Sequence, residues 1–512
     1  MRQVVRVSCI LAIAFAATAG ASGAQKAAVV KTATGPLQTG TYYYSLGSSA
    51  ANQTEAARIR AAGAGVARIA LYWSSVAPTG SAPPTGFQPR DPADPNYRWQ
   101  GIDAEVQTAA AAGLQPMVQI LGAPEWARGS SPKYRAGTYK PSPSALANFA
   151  AAAAKRYSGS YESLPRVRYW QIWNEPNLDT YLSPQMEKGK PFASKWYRSM
   201  LNASADAIHS VHADNIVIAG ETSPFGTVNA SKGATSPLYF MERVLCIAEK
   251  KTKKKTKNAK TRVVTISYKS ACKTKTKFDV WSHHPYTQSG PTGRSMRPGN
   301  VSLGDMGNMR AVLNTAIRAG HIKSKTKVRL WATEFSWDSK PPDPKGVPAA
   351  LEARWVSEAL YRLWSNGVSL VVWLELRDQP FPDSFYQSGL YYANPAGIAS
   401  DSPKPALRSF RFPFVALPQL VKGKKTAVVW GRTPTSKKVT ILIERKTAGK
   451  WKRAKAVKAN RYGIFKLRIT ALPKKTTYMR ARLANGKDVS TPFALNAPKK
   501  GWKGCIFGTC TG

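Results

Sequence analysis

Val167-Arg168-Tyr169-Trp170-Gln171-Ile172-Trp173-Asn174-Glu175-Pro176-Asn177 is an apolar and aromatic run that ends abruptly in an amide, an acid and a proline. The run has the β-branched and aromatic character of a strand, and Pro176 cannot extend a hydrogen-bonded ladder. A strand that stops on Asn174 and Glu175 places two polar side chains at its C-terminal end. Leu330-Trp331-Ala332-Thr333-Glu334-Phe335-Ser336-Trp337 repeats the design, with a lone carboxylate at the end of an apolar run.

Outward from these two runs the same rhythm continues. Short strand-like segments lie at 41–47, 66–73, 114–121, 167–173, 215–221, 278–284, 328–335 and 368–375. Helical, often alanine-rich segments separate them at 52–63, 102–112, 142–157, 193–211, 236–248, 306–319 and 349–365. Alternation of this kind predicts a parallel α/β sheet, and eight strands over residues 37–415 predict a (β/α)8 barrel. The runs ending at Glu175 and Glu334 are then strands four and seven, nearly opposite each other across the barrel mouth.

Two stretches break the rhythm. Residues 249–277 form a lysine-rich insertion between the fifth helix and the sixth strand, which Cys246 and Cys272 would close, read as a solvated charged loop. After Pro413 the alanine runs stop, and short alternating segments at 426–431, 438–445, 463–470 and 477–483 predict a small all-β sandwich over 416–497. A basic tail, 498–512, carries Cys505 and Cys510.

The first 24 residues have the organisation of an export signal: Arg2 and Arg6, an apolar stretch over 7–19, and small residues before Gln25. That stretch is too short to favour a spanning helix, and no later one reads as transmembrane. Without the signal, four cysteines remain. In an oxidising compartment Cys246–Cys272 with Cys505–Cys510 is the simplest of three connectivities.

The chain is 512 residues long and carries a formal net charge of +47. The lysines cluster in the insertion and in the sandwich, where Glu444 and Asp488 are the only acids after residue 415. They form no recognisable nucleic-acid motif, so specific nucleic-acid binding is not expected. A basic surface that merely keeps the protein soluble and one that meets an anionic cell envelope both fit this pattern.

Two carboxylates facing each other across a barrel mouth suit cleavage of a glycosidic bond, one protonating the leaving oxygen while the other attacks the anomeric carbon or activates water. Asn174-Glu175-Pro176 after strand four, together with Glu334 after strand seven, resembles the clan A glycoside hydrolases, cellulase-like barrels of the family 5 and family 39 type. The resemblance covers roughly residues 40–410. It implies Glu175 as general acid/base, Glu334 as nucleophile, Asn174 as a ligand of the sugar 2-hydroxyl, and retention of anomeric configuration. It further implies that Arg68 keeps the nucleophile ionised and that Trp373 floors the sugar subsite. In Ser282-His283-His284-Pro285-Tyr286, it matches His284 to the sugar subsite and Tyr286 to the nucleophile, with His283 as the competing assignment.

Each side chain also has a purely structural reading: a wall histidine, a salt-bridged arginine, a core tryptophan. For Tyr72, Trp73, Trp126 and Trp337, sugar stacking and simple packing are equally open. Glu125, Glu221 and Glu375 also lie near strand ends and are read as subsite or structural groups. There is no G-x-S-x-G, H-E-x-x-H or phosphate-binding glycine loop, and no cofactor or metal is implied. The expected partner is an oligo- or polysaccharide. A barrel without activity that binds carbohydrate or a cell surface is the alternative.

Overall fold

The computed structural model describes residues 35–255, 262–421, 423–435, 438–470 and 472–496. The export signal, the tail and the Cys505–Cys510 pairing lie outside them.

Eight parallel strands close a barrel: β1 Gln38–Tyr42, β2 Val66–Tyr72, β3 Gln115–Leu121, β4 Tyr169–Ile172, β5 Ile216–Thr222, β6 Val280–His283, β7 Arg329–Phe335 and β8 Val368–Trp373. Each pairs with its neighbours in sequence, and β1 closes the ring on β8. The ring is wrapped by α1 Ser49–Ala61, α2 Gln100–Ala111, α3 Pro143–Arg156, α4 Ala193–Val211, α5 Pro237–Val244, α6 Met306–Arg318, α7 Ala349–Ser365 and α8 Pro405–Arg411. Strands two to eight lie where the sequence places them. The first is earlier than expected. The aromatic run Tyr42-Tyr43-Tyr44 signals a strand, but pairing is made by the polar Gln38–Tyr42. Gly40 fits there because a Cβ would meet the Val66 carbonyl at 2.7 Å. The eighth helix, only seven residues long and without an alanine run, escaped the sequence reading.

Period-two alternation sorts the strand residues into two cores. Val66, Met117, Ile216, Ile218, Val280, Trp331, Leu370 and Val372 pack together inside the barrel. Their strand neighbours, such as Trp170, Val217, Ala219, Leu330, Ala332, Val371 and Trp373, belong to the larger core between barrel and helices.

The lysine-rich insertion is not simply a loop. Ile247–Lys255 and Arg262–Ser270 pair as an antiparallel hairpin, clamped at its base by the Cys246–Cys272 disulfide. The β-branched run Val263-Val264-Thr265-Ile266 supplies strand propensity that the surrounding lysines obscure.

The C-terminal unit has two antiparallel sheets. One comprises β9 Phe414–Val421, β10 Lys424–Arg432 and β13 Ile464–Ile469. The other has the order β12 Lys450–Lys458, β11 Thr440–Thr447, β14 Thr476–Leu483, β15 Phe493–Ala494. Strands β9, β12 and β15 add to the four expected. Strand β12 reads KWKRAKAVK, an edge strand whose exposed lysines and arginine hide its strand character and protect the edge from pairing with another chain. The unit is seated on the barrel: Trp430 packs 5.5 Å from both Tyr361 and Trp364 of α7, and buried Arg432 donates to the Leu37 carbonyl at 2.9 Å.

Candidate active site

The inward rows continue above the apolar interior as polar side chains: Arg68 on β2, Gln119 on β3, Gln171 on β4, Ser282 on β6 and Thr333 on β7. Three carboxylates join them, each through a break in the strand's alternation. On β4, Trp173 takes a left-handed φ of 72° and Glu175 one of 33°, which turns Asn174 and Glu175 toward the mouth. On β5, Gly220 (φ 99°) precedes Glu221 (φ 51°), and the register with β6 shifts there. A Cβ at Gly220 would lie 2.3 Å from the Ser282 carbonyl, so only glycine permits the kink that rotates Glu221 inward. On β7 the register slips between Ala332 and Phe335, and Thr333 and Glu334 both face inward. Left-handed non-glycine residues are costly, and such strain is concentrated at functional sites.

Glu334 accepts from Arg68 Nη1 at 2.6 Å and from the Tyr286 hydroxyl at 2.9 Å. Burial by itself would raise its pKa, but the positive charges of His284 and Arg68 outweigh burial and hold the carboxyl below the usual range. Glu175 is different. Burial dominates and raises it, and the nearby His284 only partly offsets that rise. His284 Nδ1 lies 3.0 Å from Glu175 Oε1 and 3.8 Å from Glu334 Oε2. The site therefore favours the proton on one carboxyl and the charge on the other, around a single imidazole nitrogen.

Glu221 lies beneath both. Its carboxylate accepts from Arg68 Nη2 at 3.2 Å, from Thr333 Oγ1 at 3.0 Å, and from Gln171 and Ser282. It also accepts from His284 Nε2 at 3.0 Å. Burial disfavours the His284 cation, but Glu334, Glu175 and Glu221 overcome it and push its pKa up to about 10, so both ring nitrogens donate. Sequence reading named Glu221 only as a subsite or structural group. Its inward turn could have been sought at Gly220, a glycine inside an otherwise apolar strand.

The remaining expected residues separate cleanly. Asn174 Oδ1 accepts from Arg68 at 3.2 Å and from Gln119 at 2.9 Å. His284, not His283, faces the site. His283 is buried on the outer side of the strand, donates from Nε2 to the Val301 carbonyl, accepts from Thr222, and is lowered by burial to about 3, hence neutral. Trp373 does not floor the sugar site. It alternates with inward Leu370 and Val372, so it faces the helices, fully buried against Phe335, Trp337 and Phe410, with its indole N–H on the Ser388 carbonyl. Trp73 and Trp337 are likewise buried, while Tyr72 is half exposed and Trp126 intermediate. Exposed Phe225, Phe381 and Phe385, on the loops after β5 and β8, are aromatic rim residues the sequence reading did not single out. Among the described residues no group of His, Cys, Asp and Glu is arranged to hold a metal ion.

An eight-stranded barrel with two opposed carboxylates in unlike environments at its mouth defines a class, the barrel glycosidases. The family model described as cellulase, glycosyl hydrolase family 5, matches residues 28–374, and the chain belongs to that family. It is a glycosidase of the clan A barrel type. No curated protein matches the chain. Solved structures similar to it include a family 39 glycoside hydrolase from the gut symbiont Bacteroides cellulosilyticus WH2, 16% identical, covering 85% of this chain and 79% of that one, with a TM-score of 0.48. Others are a family 39 enzyme from Xanthomonas axonopodis pv. citri (14% identical, 87% and 93% covered, TM-score 0.48) and a monomeric beta-xylosidase from Caulobacter crescentus CB15 (16%, 87% and 96%, 0.47).

Proposed function

We propose that this chain is a secreted, retaining glycoside hydrolase that cleaves O-glycosidic bonds in an oligo- or polysaccharide by double displacement. The observation that carries the reading is the unlike treatment of two carboxyls that share His284: the charges of His284 and Arg68 hold Glu334 below the usual range, and burial raises Glu175 above it. Glu334 attacks the anomeric carbon as the glycosidic C–O bond breaks, and Glu175 gives its proton to the departing oxygen. Glu175, now a carboxylate, then takes a proton from water, which attacks the same carbon and releases Glu334. Both carboxyls approach His284 Nδ1 closely, at 3.0 and 3.8 Å. That closeness supports the retaining route, whose two carboxyls stand nearer together than those of inverting pairs. Asn174, fixed through Oδ1, is left with its Nδ2 hydrogens for the hydroxyl beside the reacting carbon.

Export follows from the N-terminal segment, and attachment to an anionic envelope from the basic insertion and sandwich. The five basic residues of β12 (Lys450, Lys452, Arg453, Lys455 and Lys458) are exposed together. Substituting all five by Gln is expected to weaken retention on anionic polysaccharide at low salt; unchanged retention removes the sandwich from this role. The catalytic reading is tested with aryl glycosides and soluble polysaccharides, using wild type, Glu175→Ala and Glu334→Ala with azide. Loss of about 10²–10⁴-fold in Glu175→Ala, with azide giving a glycosyl azide of retained configuration from it and the inverted one from Glu334→Ala, supports the mechanism. Full activity in either variant overturns it.

A further inference from the structure

A cleft of about 440 Å³ opens beside the catalytic carboxyls, over the ends of β2, β3 and β4. Its lining runs directly on from the site: Trp173 precedes Asn174, Tyr72 ends the strand that carries Arg68, and Leu121 ends the strand that carries Gln119. From the loop after β3, Arg128 and Arg135 line it. Tyr72 and Tyr181 supply aromatic rings.

The loop bearing the arginines is tied down. Ala123 N–H donates to the Gly137 carbonyl at 3.2 Å, Gly129 N–H to Tyr139 at 3.0 Å, and Ser183 N–H to Thr138 at 2.9 Å. Arg128 uses Nη1 on the adjacent Gly129 carbonyl, which leaves its other N–H groups for a ligand. Glu125 also lines the cleft, but among the described residues no ion pair joins it to either arginine. Two arginines and two tyrosines thus share the wall of one cleft.

Resting on the glycosidase reading, we propose that this cleft is a subsite for a saccharide unit bearing a carboxylate, so that the substrate is a uronic-acid-containing glycan. A guanidinium meets a planar carboxylate through two parallel N–H···O bonds, while a tyrosine ring covers the apolar C–H face of the sugar. The net charge of +47 favours the same class, since it draws a polyanion toward the cleft from a distance.

The test uses full-length Glu175→Gln, in which loss of the acid is expected to slow turnover, with hexasaccharides of glucuronan, polygalacturonate and alginate and with the neutral products of reducing their carboxyl groups. Calorimetry at physiological salt is expected to show at least one acidic hexasaccharide binding about tenfold or more tightly than its reduced counterpart. Adding Arg128→Gln/Arg135→Gln is expected to collapse that ratio. Adding Lys323→Gln/Lys325→Gln, which removes the same charge beside the N-terminal end of β7, is expected to leave it intact. Equal binding of acidic and reduced forms overturns the inference, as does a ratio indifferent to the arginines or equally sensitive to the lysines. If the wild type hydrolyses neutral aryl glycosides, with loss in Glu334→Ala, but no acidic fragment is preferred, this inference fails and the glycosidase reading stands. If no saccharide of either kind is bound or cleaved, the glycosidase reading fails with it.

Discussion

His284 Nδ1 lies 3.0 Å from Glu175 Oε1, so the group read as the acid is held by a cation rather than by a neutral donor. Its own charge is retained up to about pH 10. Oε1 of Glu175 accepts from the imidazolium, and the acid proton falls to Oε2.

This predicts the direction of a pH response. Activity needs Glu334 ionised, which sets the acid limb, and Glu175 protonated, which sets the alkaline limb. The His284 charge lowers the pKa of both. In His284→Gln both lose that charge, both pKa values rise, and both limbs of the kcat/KM profile move to higher pH. A profile that stays in place, or moves to lower pH, contradicts the assignment.

Glu221 is expected to act through its neighbours, as a positioning residue. Glu221→Gln preserves shape but sets an NH2 group against donors from Arg68, Gln171, Ser282, Thr333 and His284. A buried donor left unpaired costs about 1–3 kcal/mol, roughly a tenfold to hundredfold loss in kcat/KM where that cost falls on the transition state. Because Glu221 also raises the His284 pKa, His284 should give up its charge at lower pH in the variant, and the alkaline limb should move to higher pH, as in His284→Gln. A uniform loss across the pH range would mean a structural role alone.

Glu352 on α7 is fully buried, and burial raises its pKa to about 8. Among the described residues neither of its carboxyl oxygens has a hydrogen-bond partner. The sign is that of a raised acid. In the unfolded chain the group ionises above about 4.5, so the cost of keeping it neutral grows between 4.5 and about 8, by ~1.4 kcal/mol per pH unit at most. Glu352→Met should therefore melt higher than wild type at pH 8, by a margin that shrinks steadily toward pH 4.5. A margin independent of pH would show that charge is not the cause.

The Cys246–Cys272 bridge joins residues 26 apart at the base of the lysine-rich hairpin. On chain-entropy grounds, replacing both by Ser should cost about 3–4 kcal/mol of stability. Denaturant unfolding without reductant measures this. Equal midpoints for wild type and variant would show the bridge unformed or energetically idle.

The barrel was legible because its signal is periodic and repeated: eight apolar strands bounded by polar ends, separated by seven helical, often alanine-rich segments. Glu175 and Glu334 stood out for the same reason, as lone acids closing apolar runs. Elements failed where composition masked pairing, as in the polar Gln38–Tyr42 strand and the lysine-rich hairpin.

Which way each side chain faces was a matter for tertiary structure. Strict alternation would turn Glu221 and Glu334 outward with Ala219 and Ala332. A kink at Gly220 and a register slip after Ala332 bring them in. The same alternation, undisturbed, carries His284 inward with Ser282 and leaves Trp373 facing the helices. The sequence by itself determined the barrel and the two acids at its strand ends, because those depend on local pattern. The network that makes the acids unlike depends on strand register, and register is set only when all eight strands close around one core.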